Sequence, residues 1–299
     1  MPDTQVIVLG DYFCDMIITG LPDVPRLGAD LFGEHLEICP GGAFICTTAL
    51  TRLGVRTAWL ANLGTDMLSR FIIEAARQEG LDESLFRLHD FPLRSLSLSF
   101  SFSTDRGFIS YVDPVPGSFP LEAFEQRRPA WAINLPFGGS SEDLEAIRAV
   151  RALGCRVFTD CQYVDFDLDR PGIAETLRLA DIFAPNESEA LRLTGACDAE
   201  TALEVLAGLT PLVVIKRGAR GAIARRGGQT WCAPGLPVEV VDTTGAGDCF
   251  NAGFLAALLA GHPVERCLQW GNICGGLSTT RRGGTAAATT PETIHAILA

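Results

Sequence analysis

Short apolar runs, each followed by a longer stretch with helical spacing, recur along this 299-residue chain and leave few folds open. Residues 5–9, 56–60, 131–134, 156–159, 181–183 and 212–216 read as buried strands. Residues 43–53, 67–79, 142–153, 187–193 and 199–206 read as helices, the first two stopped by Gly54 and Gly80. This alternation predicts an α/β fold: a doubly wound, mostly parallel sheet with helices on both faces. Ligands of such folds sit outside the carboxyl ends of the strands. The length suits a single domain spanning residues 1–299.

Two stretches break the alternation. Residues 13–38 carry extended apolar segments separated by Pro22, Pro25 and Gly28. The second, "RSLSLSFSFSTDRGFISYVD", places Leu96, Leu98, Phe100 and Phe102 on one parity and Ser95, Ser97, Ser99, Ser101 and Ser103 on the other. Strand side chains alternate between faces, so this is a strand with one apolar and one hydroxyl face. Thr104, Asp105, Arg106 and Gly107 supply a turn, and Phe108, Ile109 and Tyr111 begin the return. Segments 13–38 and 95–112 are thus expected to form a small antiparallel sheet inserted in the α/β framework. The apolar parity is expected to pack, and the serines to face either solvent or something the hairpin covers.

The formal net charge is −12, from 24 Lys+Arg against 36 Asp+Glu, which argues against nucleic acid and anionic membranes as partners. The ten cysteines form no C-x-x-C pair and accompany no histidine cluster, so neither zinc nor a disulfide framework is indicated. Scattered thiols in a reducing cytosol are the simpler reading. The start, "MPDTQVIVLG", has no basic lead-in, and no apolar run approaches the roughly 20 residues that span a bilayer. A cytoplasmic location is expected.

The chemistry concentrates in "VVDTTGAGDCFNAGF", residues 240–254. A short strand runs into Asp242, Thr243 and Thr244, then Gly245, Ala246 and Gly247, then an apolar helix. Small residues at such a turn let backbone amides approach a ligand, and a helix start favours negative charge. Asp248 falls in that first turn. A carboxylate would repel a phosphate held there, but it makes sense facing a hydroxyl about to be phosphorylated. A P-loop is excluded because Lys216, the only lysine, is followed by Arg217. A dinucleotide fingerprint would need glycine at Phe250 and a place near the first strand. A glycine-rich helix cap alone would explain "GAGD" but not the whole string.

"DTTGAGDCFNAGF" resembles the C-terminal signature of the ribokinase (PfkB-type) family of carbohydrate kinases, and the resemblance extends over nearly the whole chain. "LGDYFCDMIITG" is similar to the family's first strand, whose acid, here Asp15, holds sugar hydroxyls; "PGGAFICTTALTRLG" resembles the N-terminal signature, with Gly41 and Gly42 at the substrate. "APNESEALRLTG" resembles the Asn-x-x-Glu element, giving Asn186 to the nucleotide and Glu189 to Mg²⁺ through water. Asn186 and Glu189 also have the spacing of a capping box. "VVIKRGARGA" implies a nucleotide-side strand and turn with Lys216, Gly218 and Gly221, and "GNICGGLSTTRRGG" places Asn272 beside the purine. An exposed structural role is the competing reading of Lys216 and Arg217. Oxygens around Asp242 and Thr244 could hold K⁺, as in several relatives.

The resemblance implies a ribokinase-like fold whose inserted lid excludes water, and it allows a homodimer through the lid. It implies ATP-dependent transfer of the γ-phosphate to a hydroxymethyl group of a small sugar. Asp248 would accept the proton while amides of Gly245, Ala246 and Gly247 stabilise the phosphoryl group. An acid in a helix first turn is expected to have a low pKa. One departure concerns substrate: where the family usually carries a sugar-binding Asn, "GGAFICTTA" offers Ile45 or Cys46. Phe13 and Phe44 hint at an aromatic-lined acceptor site, which keeps a nucleoside acceptor open, with core packing as the plainer reading. A non-catalytic nucleotide or sugar sensor ranks below both kinase readings.

Overall fold

The computed structural model describes residues 4–28, 30–101, 106–115, 117–161 and 165–299. The hairpin positions Phe102, Ser103, Thr104 and Asp105 lie outside the described residues. Eight strands make the main sheet, in the order β14-β13-β12-β11-β10-β9-β1-β4. These are β1 (Val6–Leu9), β4 (Thr57–Leu60), β9 (Trp131–Ile133), β10 (Arg156–Thr159), β11 (Ile182–Phe183), β12 (Leu212–Lys216), β13 (Ala222–Arg226) and β14 (Gln229–Ala233). The first six pair in parallel, and β13 and β14 close one edge as an antiparallel hairpin.

The helices sort to the two faces by their apolar stripes. On one face lie α1 (Ala43–Arg52), α2 (Met67–Gln78), α8 (Ala246–Leu259), α9 (Val264–Ser278) and α10 (Pro291–Leu298), joined through Leu50, Ile72, Phe254, Trp270 and Ile294. On the other lie α3 (Leu121–Arg127), α4 (Ser141–Ala152), α5 (Ile173–Leu179), α6 (Glu187–Thr194) and α7 (Ala199–Ala207), joined through Phe124, Ile147, Ile173, Leu193 and Leu203. The central strands are buried on both sides, as a parallel sheet with covered faces requires. No helix among the described residues is long and apolar enough to cross a membrane.

A second sheet stands beyond the carboxyl end of β1. It comprises β2 (Tyr12–Thr19), β3 (His35–Gly42), β7 (Ser95–Ser101) and β8 (Arg106–Val112), in the order β3-β2-β7-β8. A two-stranded piece, β5 (Asn62–Leu63) with β6 (Arg87–Leu88), lies apart from both. The sequence predicts an antiparallel lid, but its two halves join through a parallel pair, Asp15 beside Ser97 and Ile17 beside Ser99. The reason is topological: β2 leaves the main sheet directly, whereas β7 returns to the lid after β4, α2 and β6, so the two run the same way.

That register assigns the faces. Paired residues share a face, so Phe13, Asp15 and Ile17 lie with Cys39, Gly41, Ser97 and Ser99. Ser95 and Ser99 are buried, so the serines are not a solvent face. The apolar parity does not pack fully: Leu96, Leu98 and Phe100 are half-buried beside Ile109 and Tyr111, which are 61% and 52% exposed. The lid is rooted by Tyr12, whose hydroxyl donates to the Leu93 carbonyl at 2.5 Å, and Trp59 Nε1 donates to the Gly10 carbonyl at 3.0 Å where β1 hands over to β2.

Candidate active site

A cavity of about 1250 Å³ opens between the carboxyl ends of the main-sheet strands and the lid. Its floor is the tip of α8. The helix begins at Ala246 behind Gly245, whose left-handed φ of 71° turns the chain with no capping side chain. A side chain at Gly245 would strike Ile45 Cδ1 at 2.7 Å, so only glycine fits. First-turn N–H groups have no acceptor one turn back, which makes this tip an anion cradle. One expected donor is partly spent: Ala246 N–H bends back to the Thr243 carbonyl at 3.3 Å. Asp242 stitches the preceding loop, accepting from Thr244 N at 3.0 Å, Thr244 Oγ1 at 2.8 Å and Gly283 N at 3.0 Å.

Asp248 lines the same cavity, one residue along from Gly247. Its pKa is not low: lost solvation, followed by the charge of Asp160, pushes it up to about 7. The helix start cannot offset the surrounding carboxylates, and this corrects the sequence expectation. Lys216 lowers the value and Asp15 raises it, so all four groups share one field.

The residues expected at the acceptor come from the lid. Asp15 is buried, and its carboxylate occupies the place where a Gly41 side chain would sit, 2.0 Å from a Cβ there. Gly41 therefore gives room to Asp15; neither of these two expected substrate residues lines the cavity, whereas Gly42 does. Burial, then the charge of Asp242, raises Asp15 to about 6. Phe13 lines the cavity, but Phe44 is a core residue set edge-on to Trp59 at 5.9 Å. Ile45 packs on Gly245 and Gly284, and Cys46 is buried, so neither replaces the missing amide.

The residues expected on the nucleotide side gather along β12, α6 and α9. Gly218 and Gly221 line the cavity after β12, and a side chain on Gly221 would meet the Ala233 carbonyl at 2.1 Å. Asn186 and Glu189 form a full capping box: Glu189 N donates to Asn186 Oδ1 at 2.9 Å, and Asn186 N to Glu189 Oε2 at 2.7 Å. Both also line the cavity, so capping and site placement coincide. Burial and then Asp160 raise Glu189 to about 7. Asn272 lines the cavity but donates to the Ala233 and Pro234 carbonyls, both at 3.0 Å, and so fixes the pocket wall. Lys216 is not an exposed structural residue, since its side chain is 12% exposed and Nζ donates to Asp160 Oδ2 at 2.7 Å.

Sequence reasoning missed Asp160 and Asn251. Asp160 directly follows the parallel strand β10 at the edge where ligands of such folds bind, and that position was its only signal. The pfkB family carbohydrate kinase model matches residues 132–291. The chain belongs to the pfkB family of carbohydrate kinases. This pfkB-family kinase is 28% identical to a fructokinase from Vibrio alginolyticus over 96% of each chain. It is 41% identical to a cytidine kinase from Thermococcus kodakarensis over 89% of this chain and 93% of that one. Among solved structures, Arabidopsis thaliana ribokinase complexed with ribose and ATP superposes with a TM-score of 0.85 at 23% identity, covering 99% of this chain and 98% of the other. The ribokinase-like fold and phosphotransferase class are thereby fixed.

Proposed function

We propose that this kinase moves the γ-phosphate of ATP to a hydroxymethyl group of a small sugar or sugar-like acceptor, with Asp248 taking the proton. The observation that carries this is the uncapped α8 tip and the Asp248 carboxylate lining one cavity under a lid. The acceptor oxygen bonds to phosphorus as the bond to the bridging oxygen breaks, and ADP leaves with that electron pair. Gly245, Ala246 and Gly247 form the cradle. Gly42 bounds the acceptor and Asp15, for which Gly41 makes room, is assigned to its hydroxyls, while Asn186, Lys216, Gly218, Gly221 and Asn272 bound the nucleotide.

Mg²⁺ suits the donors present. Glu189 and Asp160 lie close enough to raise the Glu189 pKa, an under-compensated pair that a cation relieves. When bound, the ion would neutralise phosphate charge. K⁺ near Asp242 and Thr244 is the weaker assignment, because the Asp242 oxygens already hold the loop. A Vibrio cholerae fructokinase variant was solved with fructose, ADP and potassium bound.

A nucleoside acceptor is the second reading, favoured by the 41% identity to a cytidine kinase and by Phe13 and Val112 on the cavity wall. A sensor reading fits less well, since Asp248 and the cradle are both in place. The half-exposed lid face of Ile109, Tyr111 and Ile38 suits a homodimer through the lid. We read the chain as one kinase domain with lid segments 13–38 and 95–112, in the cytoplasm, where its buried thiols stay reduced. Incubation with MgATP and a panel of free sugars and nucleosides, following ADP release, tests the assignment. Turnover with one class of acceptor fixes it; silence across the panel, with ATP bound, returns the sensor.

A further inference from the structure

This kinase carries one lysine among 24 Lys+Arg residues. Every other basic position is arginine, and the single exception lies in the catalytic cavity. Lys216 ends β12, and its stem runs under α8 so that Nζ lies 3.3 Å from where a Gly247 side chain would begin. The ammonium thus lies beside the first turn of the anion cradle. It is held by Asp160 Oδ2 at 2.7 Å and by Asn251 Oδ1 at 3.4 Å, and Asn251 Nδ2 also donates to Asp160 Oδ2.

Three carboxylates, Asp160, Glu189 and Asp248, line the same cavity as that one ammonium. A phosphate entering here meets repulsion from each of them. Helix amides supply partial charges only, so a mobile full charge at the cradle is needed to receive a triphosphate terminus. Arginine would be a poor substitute. Its planar fork needs more room than the gap beside Gly247 offers, whereas an ammonium is a compact point charge that can turn its three donors between partners.

We infer that Lys216 is a catalytic residue that contacts the phosphoryl group in transit, and that Asp160 with Asn251 is the dock that parks its ammonium when that group is absent. This deepens the kinase reading and rests on it. Lys216 supplies charge alone: the acceptor proton goes to Asp248, and the electron pair of the broken bond leaves on ADP. Asp160 is a positioning residue that acts through Lys216. Asp160 shares the cavity with Glu189 and would be free to help hold the nucleotide's cation once the ammonium had moved.

Because the chain has a single lysine, its environment can be read without turnover. Limiting acetic anhydride, followed by peptide mass spectrometry, reports Lys216 acetylation in the full chain with no nucleotide, with MgADP, and with Mg²⁺ and the β,γ-imido analogue of ATP. Labelling should be lost with the triphosphate analogue and retained with ADP. Equal protection by both nucleotides would place the ammonium away from the terminal phosphate and overturn the inference. The Asp160→Asn chain, with the ammonium undocked, supplies the labelled reference if the pair shields the amine.

Kinetics provide the second arm. Lys216→Met should lower kcat by about 10²–10³, the effect of removing one transition-state donor, with the nucleotide KM little changed. Lys216→Met with Asp160→Asn removes both charges, which guards against misfolding around a lone buried carboxylate, and should stay as slow as the single variant. Recovery of wild-type kcat in the double variant would mean that Lys216 only balances Asp160. If the wild-type chain phosphorylates no acceptor, the kinase reading fails by itself, while the labelling pattern still reports where the ammonium goes.

Discussion

Two helix tips face the same cavity and end in opposite ways. At α6 the chain caps itself, since Asn186 and Glu189 bond each other's backbone N–H groups reciprocally. At α8 the cap is Gly245, with no side chain to turn back on the helix. The first tip is capped by its own side chains, and the second is left without a side-chain cap. Composition alone would not separate them, because both carry an acid in the first turn, Glu189 and Asp248. What separates them is whether that acid reaches back to its own helix's leading amide.

The largest effect expected from disturbing this contrast is at Asp248. Asp248→Asn should leave a folded protein with ADP release slowed by about 10²–10⁴, the usual value of a general base. Turnover close to wild type would assign the proton to another group. Giving α8 a cap of its own is the next test. Gly245→Asp forces a side chain into a left-handed position against Ile45 and sets a carboxylate on the cradle. It should cost about 1–3 kcal/mol of stability in urea titration and abolish nucleotide binding in calorimetry.

The pH dependence sharpens the same comparison. Asp248 ionises near pH 7, so turnover should fall about tenfold per unit below that value as the base takes up its proton. Stability should move the other way. The folded pKa lies above the usual 3.8, so the contribution is full below pH 4 and is lost as pH rises through 7. The melting temperature of wild type should therefore drop between pH 5 and pH 8 by more than that of Asp248→Asn. A parallel drop in both would assign the trend to other groups. The smallest effect is at α6: Asn186→Ala should cost about 1 kcal/mol, the typical value of a lost cap. A loss below a few tenths in the same titration would mean that the box is idle.

How much of this was legible depended on range. The β1, β4, β9, β10 and β12 strands and the α1, α2, α4, α6 and α7 helices follow from local period and punctuation, within a residue or two at their ends. The edge hairpin of β13 and β14 was not legible beyond the turn at Gly218 to Gly221 that precedes it, because Arg225, Arg226 and Gln229 at its exposed end blur the apolar signal. The α8 tip was legible because all its parts are consecutive, from Asp242 to Asp248. The dock of Lys216 was not: Asp160 and Asn251 lie 56 and 35 positions away from it, and only the sheet order brings them together. The raised Asp248 pKa was hidden for the same reason, since it depends on how many distant acids the fold crowds around it. The parallel seam of the lid likewise depends on where β7 enters, which no local pattern encodes.

That seam has a further consequence. Asp15 and Gly42 lie on lid strands, whereas Asp248 and the other residues of the α8 tip belong to the helical layer on the main sheet. On the proposed assignment acceptor and donor are gripped from separate sheets, so the protein would work as a coincidence detector, alignment of alcohol and phosphate depending on how the lid sheet meets the main one.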